Sequence, residues 1–140
     1  MISGWFNDGT EICFMCGGTM FDSGVAAASE NNGKIVGVDV DQSAGYEGIV
    51  ITSAMKGLTA SVKTALAKLY AEGVYGGSLV LGAADDAVGI PTDTWQFENY
   101  TVDEYNALFE AVVAGDIAVS NEEVADPTGL LANVNINYIG

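Results

Sequence analysis

The chain has 140 residues, 49% of them hydrophobic, and sets 19 acids against four lysines with no arginine and no histidine, for a formal charge of −15. One domain and a positive mean hydropathy argue for a packed globule. The charge argues against nucleic acid or an anionic membrane surface as partner. Without histidine, a Ser-His-Asp or Cys-His centre cannot be built from this chain, so the reading is a non-enzyme with no cofactor and no metal.

In chain order, Asn7-Asp8-Gly9-Thr10 is turn chemistry. Residues 11–16 are an apolar run that reads as a short strand buried on both faces. It contains Cys13 and Cys16; a strand points positions three apart to opposite faces, so both are expected as core cysteines with diverging sulfurs. Residues 20–28 read as a helix, with Thr19 placed as N-cap and Asn31-Asn32-Gly33 as terminator. Residues 34–38 form the next strand, closing on Asp39-Val40-Asp41-Gln42. That is a β-α-β unit of a parallel sheet.

A glycine-containing loop at 43–48 precedes a third strand at 49–53, with Ala54-Met55-Lys56-Gly57 as a turn. Residues 59–72 are the clearest helix: Val62, Leu66, Leu69 and Tyr70 share a face from which Lys63 and Lys68 are excluded. Gly76-Gly77 breaks the chain, residues 78–82 read as a fourth strand, and 92–100 as irregular. Thr101-Val102-Asp103-Glu104 has capping-box spacing and opens a helix to about residue 114, with Tyr105, Leu108 and Val112 inward. A last strand is read at 134–139. The fold class is α/β: a three-layer sandwich around a mostly parallel sheet, in a single domain over 1–140.

Ligands of open parallel sheets sit outside the carboxyl ends of the strands. Three such ends carry polar or glycine-rich groups: Gly17-Gly18-Thr19, the segment from Asp39 to Gln42, and Thr52 to Lys56. The Gly-Gly turn exposes backbone N–H groups at a helix start, but matches neither a G-x-G-x-x-G nor a G-x-x-x-x-G-K-[ST] loop. Asp39 can accept hydrogen bonds from two adjacent sugar hydroxyls, and Asp41 either helps or caps the following loop. Lys56 lies past a strand, where it can donate to a hydroxyl or a ring nitrogen. Phe21, beside the Gly-Gly turn, is kept as a stacking residue for a flat base; the other aromatics, Trp5, Phe6, Phe14, Tyr46, Trp95 and Phe97, are read mainly as core.

Cys16-Gly17-Gly18-Thr19, Gly37-Val38-Asp39-Val40-Asp41-Gln42 and Ile51-Thr52-Ser53-Ala54-Met55-Lys56 follow in an order and spacing that resembles the C-terminal lobe of basic-membrane-protein lipoproteins, with Gly76 to Gly82 and Gly89-Ile90 also matching. The likeness runs from about residue 3 to residue 118. It implies one lobe of a type I periplasmic-binding-protein fold, and a purine-nucleoside-binding component of an ABC importer in which Asp39 and Lys56 hold the ribose with help from Gly17 and Gly18. Thr19-Met20 departs from the Thr-Gly common in the family. The ligand-contact set is thus Gly17, Gly18, Thr19, Phe21, Asp39, Asp41 and Lys56.

Receptors of this kind have two lobes and roughly twice this length. The resemblance therefore implies a truncated C-terminal lobe, half of a clamp and weak or inactive alone. In a full-length parent, residues from about 101 to 140 would pack on the N-terminal lobe; that parent would be extracytoplasmic, lipid-anchored and docked to an ABC permease. Met1-Ile2-Ser3-Gly4-Trp5 has neither the basic region nor the apolar run of a signal peptide, so the chain as given is read as cytoplasmic or recombinant. Apolar faces left without the other lobe suggest a homodimer. The competing reading is a folded, dimerising structural fragment with no ligand of its own.

Overall fold

One row of side chains decides where the core sits. Cys13, Ile35 and Val50 stand in register across three neighbouring strands, and all three are buried. Parallel pairing puts them on one face, which must then be covered. The computed structural model describes residues 1–120, 122–130 and 132–137. Its elements are α1 (Ile2–Asn7), β1 (Ile12–Phe14), α2 (Met20–Asn31), β2 (Lys34–Asp39), β3 (Val50–Lys56), α3 (Leu58–Glu72), a 3-10 turn at Ala83–Asp85, β4 (Val88–Gly89) and α4 (Val102–Ala114). The sheet runs in the order β1-β2-β3-β4; the first three strands are parallel and β4 is antiparallel to β3. The α/β class and the mostly parallel sheet hold.

Helix α2 covers the buried row. Phe21, Gly24, Val25, Ala27 and Ala28 face inward, and α1 adds Phe6 against α2. The small residues set the spacing: a Cβ on Gly24 would stand 2.8 Å from three atoms of the Met15 side chain. Ile35 and Val50, both fully enclosed, contribute about 1.5–3 kcal/mol each. Asn32, at φ 55°, ends α2 in the left-handed conformation expected of its Asn-Asn-Gly terminus. Thr19 occupies the N-cap position, but its backbone is already helical and its side chain makes no cap hydrogen bond.

Several sequence expectations are corrected. β1 is an edge strand covered on one side only: Cys13 is buried, whereas Ile12 and Phe14 are exposed. Cys16 lies beyond the strand and is exposed, so only Cys13 is a core cysteine; burial pushes the Cys13 thiol pKa up. β3 does not turn after residue 53 but continues to Lys56, because Ala54 and Met55 still pair with β2, and Met55 and Lys56 with β4. Residues 78–82 form no strand. Gly76 and Gly77, at φ 95° and 90°, turn the chain away, and the fourth strand is Val88–Gly89 instead. A close backbone approach allows it: Gly57 N–H donates to the Ala87 carbonyl at 2.8 Å, and a Cβ on Gly57 would lie 2.7 Å from Ala87 Cα.

The two later helices form where expected but face differently. The capping box of α4 is complete: Glu104 N–H donates to Thr101 Oγ1 at 3.2 Å, and Thr101 N–H donates to Glu104 Oε2 at 2.8 Å. Its half-buried residues include Tyr105, Phe109 and Val112, while Leu108 is exposed, contrary to the expected inward set. α3 buries none of its fifteen residues. The last expected strand is absent at 134–137, and its end lies outside the described residues.

Candidate ligand-binding site

The carboxyl ends of β1, β2 and β3 open onto one cleft of about 610 Å³, within the size range of small-molecule sites. Gly17 and Gly18 enter it from the turn after β1, Asp39 from the end of β2, and Lys56 from the end of β3. Phe14, Val38, Met55 and Ile90 line it with apolar surface, and α4 contributes Tyr105, Phe109 and Val112.

The V-D-x-D-Q segment is held by its own hydrogen bonds. Val38 N–H donates to Gln42 Oε1 at 2.8 Å, and Gln42 N–H donates to Ser53 Oγ at 3.1 Å. Ser53 is fully buried, so Gln42 ties the loop to β3 and does not reach the cleft. Gly37 makes room for this brace: a Cβ there would lie 2.7 Å from both Gln42 Oε1 and Ser53 Oγ. Between these anchors, Asp39 has φ 71°, and Val40 N–H donates to the Val38 carbonyl at 2.8 Å. A positive-φ residue spanned by an i→i+2 bond is the rarer, strained γ-turn. It ends β2 abruptly at the residue whose carboxylate enters the cleft.

Asp39 Oδ1 lies 2.6 Å from Lys56 Nζ. Both groups are substantially exposed, and exposed pairs do little for stability. The pair matters as a polar fixture in an otherwise apolar cleft. The hydrogen bond with Asp39, and secondarily its charge, hold the Lys56 pKa above the ordinary lysine value.

Of the seven sequence-derived site residues, the structure brings Gly17, Gly18, Asp39 and Lys56 together. Thr19 is exposed and outside the cleft lining. Phe21 turns into the core, edge-on to Tyr46 at 5.7 Å between ring centroids, because α2 needs a large side chain there. Asp41 points to a separate hollow beside Trp95: its carboxylate accepts from Thr94 Oγ1 at 2.7 Å and from Ser43 N–H at 3.0 Å. Burial works to raise the Asp41 pKa, but these hydrogen bonds prevail and lower it. Sequence reasoning missed Cys16, Met55, Ile90, Tyr105 and Phe109 as lining residues. The only signal for the last two was an aromatic pair one helical turn apart. Among the described residues no group of three or more His, Cys, Asp or Glu side chains could hold a metal ion, and no helix is long and apolar enough to cross a membrane.

A mostly parallel sheet with a cleft at its strand ends defines an open α/β domain, the class in which ligands sit at the carboxyl ends of the strands. Residues 3–123 match the profile of a family described as ABC transporter substrate-binding protein, PnrA-like, and the chain belongs to that family. It is a family of solute-binding proteins, not of enzymes. No curated protein matches the sequence. Among solved structures, the chain is similar to an ABC transporter system solute-binding protein from Aeropyrum pernix K1, with 15% identity and a TM-score of 0.63. The match covers 89% of this chain and 44% of that one, so the chain spans less than half the length of the structure it resembles. At that identity the likeness is one of fold.

Proposed function

We propose that this chain is the ligand-contacting lobe of a solute-binding component that serves an ABC permease, and that its ligand is a nucleoside. The observation that carries the reading is the Asp39–Lys56 pair at the ends of two parallel strands, set in an apolar cleft. The carboxylate accepts from two neighbouring ribose hydroxyls, the ammonium donates to a hydroxyl or a ring nitrogen, and the N–H groups of the Gly17-Gly18 turn add donors. The apolar remainder of the cleft suits a base. Binding sites enclose most of a ligand's surface, and one lobe of a clamp encloses less, so the chain alone binds weakly.

Calorimetric titration of guanosine, adenosine, inosine and ribose into the folded chain tests this. Heat of binding is expected from the nucleosides, with affinity falling about tenfold to a hundredfold in Asp39→Ala, the scale of a hydrogen bond to a charged group. A folded sample that gives no heat, or an Asp39→Ala variant that binds as well as wild type, would overturn it. One observation favours a second reading, a dimerising fragment without a ligand: Leu58, Val62, Leu66 and Tyr70 form an exposed stripe along α3. Sedimentation showing a dimer that ignores every nucleoside would support that alternative.

A further inference from the structure

We infer that α4 supplies the cleft with a second wall from within the same chain, and that Tyr105 and Phe109 on it select ligands carrying a flat, largely apolar ring. The inference rests on the reading of the cleft given above and assigns its specificity.

The helix packs against the 3-10 turn, and Tyr105 on it reaches the end of β4, its Oη 3.3 Å from where a Cβ on Gly89 would stand. Tyr105 and Phe109 are one turn apart with ring centroids separated by 5.7 Å, and both line the cleft. The Tyr105 ring is held in place, and Phe109 packs against it. Tyr105 Oη accepts a hydrogen bond from Ile90 N–H at 3.2 Å, and its ring lies 5.8 Å from that of Trp95. Trp95 is fixed in turn: its indole N–H donates to the Tyr100 carbonyl at 2.7 Å, and its ring contacts Phe97 at 5.0 Å between centroids. A wall already ordered loses little conformational freedom when a ligand arrives, which favours binding.

The cleft is also segregated. Its charged groups, Asp39 and Lys56, come from the strand ends, whereas the α4 side offers Tyr105, Phe109 and Val112. A ligand that satisfies both ends has a hydroxyl-bearing part and a flat ring, the ring meeting aromatic faces that stack on any π-system. Were Tyr105 and Phe109 only seating α4, removing either would loosen the helix without changing which ligand is preferred.

The test is a ratio. Ribose, adenosine and guanosine are titrated into the full chain in a Trp5→Phe background, so that Trp95 is the sole indole and reports on the wall. Nucleosides are expected to bind about tenfold or more tightly than ribose, the scale of one base stacked on an aromatic side chain, and to change Trp95 emission where ribose does not. Tyr105→Ala and Phe109→Ala should bring the ratio close to one. Leu108→Ala, on the exposed face of the same helix, should leave the ratio as it was. Tyr105→Phe keeps the ring and loses the bond to Ile90, and should keep the preference. A ratio unmoved by either alanine variant, or a wild type that prefers ribose, overturns the inference and leaves the sugar-binding site standing. Absence of binding by all three ligands overturns both.

Discussion

Helices α2 and α3 are both amphipathic and similar in length, yet α2 buries five residues and α3 none. The difference lies in what each face meets. α2 offers Gly24, Ala27 and Ala28, which let its backbone approach the sheet, with Met15 and Phe21 filling the remaining space. α3 carries its large apolar residues as an i, i+4 stripe that no other described element covers. Amphipathic spacing therefore specifies a helix and its inward face, but not the existence of a partner. The same contrast divides the molecule. The cluster of buried core residues lies between Phe6 and Val50, whereas the 3-10 turn, β4 and α4 contribute lining to the cleft.

The sharpest way to break this comparison is to cut one side chain from each half. Ile35→Ala should cost about 2–5 kcal/mol, and Leu66→Ala no more than about 0.5 kcal/mol, both read from urea unfolding. Equal losses would mean that the α3 stripe is covered in solution. Next, Gly57→Ala should cost about 1–3 kcal/mol, because the new Cβ meets the backbone of Asp86 and Ala87 rather than a movable side chain. Gly4→Ala, with open space around it, is the control that should not destabilise. In Gly57→Ala, faster exchange of the residue-57 amide, which donates to the Ala87 carbonyl in the wild type, would locate the damage at the β3–β4 junction.

Thiol labelling compares the two regions without mutation. Cys16 should react in the folded protein, whereas Cys13, buried and with a raised pKa, should react only as the chain unfolds. Rapid modification of both would show that the α2-covered face opens readily. The smallest effect concerns pH. Because the folded pKa of Lys56 is raised, its linked stabilisation is fully present below the unfolded lysine value and is lost as pH rises through the raised folded value. In Asp39→Asn, the Lys56 ammonium should titrate at lower pH than in wild type, as followed by NMR at Nζ. An unchanged titration would mean that the pair does not persist in solution.

Much of the fold was legible because its causes are local. Asn32 as terminator, Thr101-x-x-Glu104 as capping box and residues 34–38 as a strand all follow from interactions within a few residues. The strand boundaries failed where pairing decided them. Residues 78–82 have strand-like composition but no ladder, and Val88–Gly89 gained one through the gap at Gly57. For the site, the rule that strand ends gather ligands pointed to Gly17, Gly18, Asp39 and Lys56, which share the cleft. It could not show that Asp41 turns to Thr94 or that Phe21 turns inward, since each choice depends on residues distant in the chain.

By itself, then, the sequence determined the α/β class, the three longer helices, the Asn32 and Thr101 caps and the polar strand ends, because backbone propensity, side-chain period and turn chemistry act over one or two turns of chain. Tertiary structure alone decided which strand closes the sheet, which cysteine is buried, and that Tyr105 and Phe109 share a cleft with Asp39 and Lys56. Those outcomes depend on which surfaces exclude water together, and that is settled only when segments far apart in the chain compete for the same neighbours.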